Sequence, residues 1–286
     1  AERMSQRLPA VGGEYIQMED ELASMAAIAG AANAGAKSMT ATSGPGVSLM
    51  NENIGLAVIT ESPCVIVNVQ RAGPSTGMPT LPSQGDVMQA QWGSHGDYPI
   101  IAYAPASPQE MFDLTAAAFD AAERYRSPVL VLADQTVGHM TGRVEIPDSI
   151  ETADRPRPAG DPDPDDFLPF DTSHAVPPMA SAGEGYRVHV TGLTHDERGY
   201  PDIDTGTQAE MMTHLMGKIE EARADIVETD TYLLDDAEVA LVSYGSTSRS
   251  ARQAVRDLRE GGIDAGLLRV LTPWPFPREE IRALSE

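Results

Sequence analysis

Cysteine is all but absent: in 286 residues only Cys64 carries a thiol. One thiol cannot hold an iron–sulfur cluster, which needs several thiolates, and cannot form a disulfide within the chain. It sits inside an apolar, β-branched run, Cys64-Val-Ile-Val-Asn-Val-Gln70, and reads as an inert core residue. Lysine is nearly missing too, with Lys37 and Lys218 the only two and arginine supplying the other basic side chains. Against 20 basic residues stand 43 acidic ones, a net charge of -23. With a pI near 4.5, this excludes nucleic acid as a natural partner, because a phosphate backbone demands a basic face. An acidic, lysine-poor surface suits a cytoplasm of high salt, where screening suppresses self-repulsion, so a halophilic source is expected. No apolar run is long enough to span a membrane, and the first residues lack the basic-then-apolar order of a signal peptide. The expectation is a cytoplasmic α/β enzyme, since a chain of this length at 41% hydrophobic residues suffices for two modest cores.

Two segments about thirty residues apart carry most of the information: Thr40 to Gly46 (TATSGPG) and Asn68 to Gly77 (NVQRAGPSTG). Residues 38–41 read as a short strand, after which Ser43-Gly44-Pro45-Gly46 turns the chain and brings backbone N–H groups close to whatever binds there. Residues 64–70 read as a strand buried on both faces, and Arg71 leaves it directly. Its planar fork at a strand end can hold a carboxylate or phosphate, or pair with a local acid. Residues 18–36 read as a helix with Glu19, Asp20 and Glu21 in its first turn, where acids also complement the helix dipole.

Further along, strands at 100–104 and 128–133 flank a helix at 108–125, with Met111, Leu114, Ala118 and Ala122 on one face and Ser107 as its cap. This is a βαβ unit, and with the earlier strands it predicts a doubly wound parallel sheet closed by Asp134-Gln135. Residues 143–171, with RPRPAGDPDPDD at their centre, read as a solvated linker. Residues 185–191 alternate like a strand. The Gly192-Leu-Thr-His195-Asp-Glu197 segment after them reads as a polar turn rather than a metal site, since no further ligands follow at fixed spacing. A helix carrying Met211, Met212, Leu215 and Ile219, a strand at 238–243, a helix at 248–261 and a strand at 265–271 predict a second α/β unit. The turn at Gly245-Ser-Thr-Ser between them offers free N–H groups to an anion, with a purely structural turn the favoured reading.

Glu19-Asp20-Glu21, TATSGPG, VQRAGPSTG, the stretch from Pro79-Thr80 to Gln84-Gly-Asp86, and Gly93-Ser-His95-Gly-Asp97 together resemble the alpha subunit of 2-oxoacid:ferredoxin oxidoreductases. The 2-oxoglutarate branch is the nearest. The resemblance runs from the first residues through Asp134 and from Gly185 to the end. It implies a pyrimidine-type thiamine diphosphate-binding domain over 1–142 lacking its first strand, a Pro/acid-rich linker over 143–184 and a connecting segment over 185–236. An incomplete transketolase C-terminal-like domain over 237–286 would follow.

By the same resemblance, Glu21 is the glutamate that hydrogen-bonds the cofactor's aminopyrimidine and activates it, and Arg71 binds the substrate carboxylate. Ser43, Gly44, Pro45 and Gly46 would contact the cofactor. Ser75, Thr76, His95 and Asp97 are candidates to line the site, with Thr80 further out. The family's Tyr-Pro-Ile-Thr-Pro-like motif, which supplies a threonine to the substrate, is missing here. Missing also is any Gly-Asp-Gly, so Mg²⁺, the pyrophosphate and the iron–sulfur cluster are expected on a beta subunit that shares the thiamine diphosphate. A gamma subunit or domain is a further possible partner. The implied reaction is coenzyme A-dependent oxidative decarboxylation of a 2-oxoacid, 2-oxoglutarate before pyruvate, with electrons passing to ferredoxin. A non-redox thiamine diphosphate enzyme and a non-catalytic assembly subunit are the alternatives.

Overall fold

The computed structural model describes residues 2–160 and 163–285; Ala1, Asp161, Pro162 and Glu286, parts of the expected first domain, linker and last domain, lie outside the described residues. A short helix α1 (Glu2–Arg7) and a 3-10 turn (Leu8–Val11) lead to α2 (Glu21–Asn33), β1 (Met39–Thr42), α3 (Pro45–Ile59) and β2 (Cys64–Ala72). Then come β3 (Met78–Pro82), α4 (Val87–Trp92), β4 (Ile101–Tyr103), α5 (Pro108–Tyr125), β5 (Pro128–Asp134) and α6 (Gln135–His139). After a long irregular strap follow α7 (Thr205–Glu221), α8 (Arg223–Ile226), β6 (Thr229–Tyr232), β7 (Val239–Tyr244), α9 (Thr247–Glu260), β8 (Ala265–Val270) and α10 (Arg278–Ala283). No helix among the described residues is long and apolar enough to cross a membrane.

The first sheet runs β1-β2-β5-β4, all parallel, with β3 antiparallel on the end of β2. Every residue of β5 is buried, as a strand covered by helices on both sides must be. Its odd and even side chains feed two cores. On one face Ile66, Leu130 and Leu132 pack with Met25 of α2, Met50 and Ile54 of α3, and Trp274. On the other, Val65, Val67, Val129 and Val131 meet Leu114, Ala118 and Ala122 of α5. Burial of Cys64 pushes its thiol up to about 12, so it is the inert core residue expected. The second sheet, β6-β8-β7, docks on the edge of the first through Ala102 N, which donates to Trp274 O at 2.8 Å.

Local chemistry explains the helix starts. Ser107 Oγ accepts from Glu110 N and Pro108 follows it, so α5 begins where its cap and its proline demand. α2 is shorter than expected: Asp20 is its N-cap, accepting from Ala23 N at 2.8 Å, which makes Glu21 the first helical residue and leaves Glu19 outside. β2 is longer than expected and includes Arg71, because β3 folds back to pair Arg71 with Pro82.

Two expectations need correction. The solvated linker expected over 143–171 holds only in part: among the described residues 143–154 and 163–166 are largely exposed, but Arg155 and most of 167–181 are not. Arg155 is buried and bonded to Glu123 of α5 at 2.6 Å, while Arg126 Nη1 donates to the carbonyls of Pro169 and Pro177, both at 2.9 Å. Proline carbonyls accept without an N–H needing a partner in return, which lets a proline-rich strap lie buried over charged groups. Residues 185–191 form no strand either: no neighbouring strand is offered, and His189 instead bonds Gly199 O at 2.6 Å and stacks on Tyr200.

Candidate functional site

A cleft of about 480 Å³ opens at the carboxyl ends of β1 and β2, lined by Glu21, Thr42, Ser43, Pro45, Gly46 and Arg71 among others. In parallel sheets this is where ligands bind. Glu21 enters from the first turn of α2, and Thr42, the last residue of β1, donates its hydroxyl to Glu21 Oε1 at 3.2 Å. Gly46 makes that meeting possible. A Cβ there would lie 2.0 Å from Thr42 Oγ1 and 2.8 Å from Glu21 Oε1.

Gly44 stands in a left-handed conformation, φ +61°, and a Cβ on it would come within 3.0 Å of Arg71 Nε. The turn is tied to β2 twice: Ser43 Oγ donates to Val69 O at 2.7 Å, and Gly44 N to Asn68 Oδ1 at 3.4 Å. Asn68 in turn donates to Asp86 at 2.9 Å. The N-terminus of α3 therefore faces the cleft beside a guanidinium, giving its mouth a positive character that Glu21 alone offsets.

Arg71 has not paired with a local acid. Among the described residues it forms no salt bridge, and its Nε is buried without a hydrogen-bond partner. A buried guanidinium nitrogen with no acceptor is costly unless a ligand supplies one.

The cleft brings together Glu21, Ser43, Pro45, Gly46 and Arg71, with Gly44 against the Arg71 side chain. Ser75 and Thr76 sit exposed in the turn between β2 and β3, and Thr80 is exposed on β3. His95 and Asp97 are exposed after α4, beyond Gly93, which packs on Asn51 of α3; neither lines the cleft. Ser75 and Thr76 lie at the tip of the β2–β3 hairpin, beyond the strand end; the hairpin returns the chain to Arg71 at Pro82, and α4 then carries it on to His95 and Asp97.

Sequence reasoning missed Thr42 and Asn68, although both lie inside the quoted motifs; only the fold shows where their side chains go. It also missed a polar bolt behind the site. Asp134, at the end of β5, accepts from Ser246 N at 2.6 Å and from Gln84 Nε2 at 3.0 Å. Tyr244 donates its hydroxyl to Gln84 O at 2.9 Å. The turn at Gly245-Ser246 thus does bind an anion, and the anion is a carboxylate of the same chain.

Comparison with known proteins supplies the rest. The family described as pyruvate flavodoxin/ferredoxin oxidoreductase, thiamine diphosphate-binding, matches residues 1–214. Pyruvate:ferredoxin oxidoreductase core domain II matches residues 237–286. The 2-oxoglutarate synthase subunit KorA of Methanocaldococcus jannaschii is 53% identical over 285 residues, covering 100% of this chain and 77% of that protein. The ketoisovalerate oxidoreductase subunit VorB of Methanothermobacter thermautotrophicus is 40% identical over 283 residues, covering 99% of this chain and 73% of that protein. Among solved structures, the 2-oxoglutarate:ferredoxin oxidoreductase of Magnetococcus marinus, with 2-oxoglutarate, coenzyme A and succinyl-CoA bound, superposes with a TM-score of 0.93 at 32% identity. That match takes in 99% of this chain, which spans half the length of the solved one, at 50%.

Proposed function

Because this chain belongs to the pyruvate flavodoxin/ferredoxin oxidoreductase family, we propose that it is the alpha subunit of a 2-oxoacid:ferredoxin oxidoreductase. Its substrate on this reading is 2-oxoglutarate, turned over with coenzyme A to an acyl thioester while electrons leave to ferredoxin. The observation that carries it is the pairing, in one cleft, of a carboxyl held by Thr42 with a guanidinium whose buried Nε lacks an acceptor. The preference for 2-oxoglutarate rests on the KorA relatives, which are more similar than the VorB relative.

The residues present fit the aminopyrimidine half of thiamine diphosphate. Gly44 and Gly46 keep the wall flat where a Cβ would intrude, and Glu21 presents a carboxyl beside them. Thiamine diphosphate, when bound, supplies the nucleophilic carbon and the electron sink that make loss of CO₂ from a 2-oxoacid feasible. Glu21 would hydrogen-bond the ring, with Thr42 fixing Oε1 so that the other oxygen serves the ligand. Arg71 would fork onto the substrate carboxylate, orienting it and excluding a water from that position. The N-terminus of α3 would favour negative charge beside them.

The other half of the site would come from a beta subunit, which on this reading holds Mg²⁺ and the pyrophosphate. Cys64 is buried and alone, so the iron–sulfur cluster also falls to a partner. Reduction of a viologen dye, dependent on both 2-oxoglutarate and coenzyme A, tests the reading in the natural complex. It should be lost in Arg71→Ala and Glu21→Gln. A complex that binds thiamine diphosphate but reduces no dye with any 2-oxoacid would leave the redox assignment untenable.

A further inference from the structure

One side chain at the end of β2 takes no part in the cleft chemistry and has no partner of its own. Gln70 is fully buried, at 0% exposure, yet neither its Nε2 nor its Oε1 has a hydrogen-bond partner. It is paired in register with Asp134 on the neighbouring strand β5. Residues side by side on parallel strands share a face of the sheet, so the amide and the carboxyl point the same way. Asp134 is 1% exposed, and its Oδ1 is likewise buried without a partner. Three bare polar atoms on two adjacent residues are a heavy cost to a native core unless a ligand answers them.

The charge around them says which ligand. The segment from Gln84 to Asp86 crosses the end of β2 over Gln70. On one side Gln84 Nε2 reaches Asp134 Oδ2 at 3.0 Å; on the other Asp86 Oδ2 accepts at 2.9 Å from Asn68, which lies two residues before Gln70 on the same face. Two carboxylates therefore flank the bare amide. Both are answered by neutral N–H donors alone, Asp86 by Asn68 and Asp134 by Gln84 and by Ser246 N at 2.6 Å, and among the described residues neither forms a salt bridge. Their charge reaches the Tyr244 hydroxyl, which burial, then Asp134 and Asp86, push above its ordinary value. The start of α9 addresses Asp134 through Oδ2 only, so Oδ1 is left as a buried anionic oxygen beside an amide.

We propose that a monovalent metal cation, potassium or sodium, binds between Gln70 and Asp134. Asp134 Oδ1 and Gln70 Oε1 are two of its oxygen ligands, replacing part of its hydration shell as carbonyl oxygens do in ion filters, and a water that it retains accepts from Gln70 Nε2. Water without the cation would meet the same atoms but leave the buried carboxylate uncompensated. A divalent ion is the poorer match: among the described residues no cluster of three or more His, Cys, Asp or Glu side chains is placed to hold one, and magnesium demands a near-ideal octahedron. The ion ties the ends of β2 and β5 together one residue before Arg71.

The test is hydrogen exchange of the chain in its natural complex, with potassium or sodium chloride replacing choline chloride at constant ionic strength so that screening is the same throughout. Choline is too large for the site. Amides at 68–71 and 132–134 should exchange about tenfold more slowly at ten times the half-saturating concentration of the ion that binds, while β8 in the second sheet does not change. The lower half-saturation identifies potassium or sodium as the occupant. Gln70→Leu removes the bare amide at similar volume and Asp134→Asn removes the charge; each should abolish the cation effect. In choline, Gln70→Leu should be protected at least as well as wild type, which shows that it folds. Equal protection in choline, potassium and sodium, a cation effect spread evenly over the whole chain, or one of full size in Gln70→Leu would overturn the proposal.

Discussion

Thr42 and Glu21 meet through one hydrogen bond of 3.2 Å, the hydroxyl donating to Oε1, although they belong to different elements 21 positions apart. The contact joins the end of β1 to the start of α2 at the lip of the cleft. It leaves Glu21 one oxygen committed and one available, which is what a residue that must address a ligand ring from a fixed direction needs.

Thr42→Val removes the donor and keeps the shape. Hydrogen bonds to a charged group contribute about 1.5–3 kcal/mol, so turnover in the complex should fall by about ten- to a hundredfold, and Thr42→Ser should restore most of it. Steady-state kinetics at varied thiamine diphosphate separate the cases. Loss confined to cofactor affinity, with turnover intact at saturation, would argue that Thr42 only shapes the wall.

Gly46→Ala sets two effects against each other. Alanine is the better helix former by about 1 kcal/mol, and Gly46 lies in the first turn of α3. Its Cβ, however, would come 2.0 Å from Thr42 Oγ1, so the threonine or the helix must shift. The clash should win: activity falls steeply and the melting temperature does not rise. Because Thr42→Ala removes the colliding hydroxyl but leaves the 2.8 Å approach to Glu21, the double variant should recover part of the stability and none of the activity.

Asp134 holds two donors from different parts of the chain, Ser246 N and Gln84 Nε2. Asp134→Ala leaves Ser246 N without its acceptor, at a cost of about 1–3 kcal/mol, and leaves Gln84 Nε2 with Tyr244 O as its remaining acceptor. The second sheet and the segment after β3 should loosen together. Hydrogen exchange would show this as faster exchange at 84–86 and 244–248 with β5 still protected; a uniform change across the chain would instead indicate global destabilisation.

What could be read in advance follows from how local each cause is. α5 was legible because Ser107, Pro108 and the spacing of Leu114, Ala118 and Ala122 act within one or two turns. β2 was legible from its β-branched run, but its extension through Arg71 depends on pairing with Pro82, eleven residues on, which no local pattern signals. The strap was misread in part: its acids at 163–166 are exposed as their composition suggests, whereas Arg155 is buried by an ion pair with Glu123, 32 positions away, which no local pattern signals. In the cleft, Glu21 and Arg71 stood out by resemblance, and Thr42 and Asn68 did not, since an ordinary threonine or asparagine declares its role only through the atom it touches.

Buried where α7 packs against the segment before β2, Lys218 Nζ lies 2.5 Å from Glu61 Oε2 and also donates to Arg126 O at 3.1 Å. Burial by itself would raise the Glu61 carboxyl, but Lys218 and Arg126 outweigh it and hold the group well below the usual carboxylate range. A folded-state value below the unfolded one means that Glu61 contributes stability above about pH 4.3, the ordinary value, and that the contribution is lost as pH falls toward the folded value. Lys218→Met strands the carboxylate and should cost about 3–5 kcal/mol at neutral pH. Because the stranded group then prefers its proton, the variant should regain ground relative to wild type on acidification, reversing the wild-type trend. Glu61→Gln combined with Lys218→Met should lose less than Lys218→Met alone. Denaturant melts at pH 7 and pH 5 check both points, and a Lys218→Met deficit that does not shrink at the lower pH would mean that the lysine acts through packing and not through its charge.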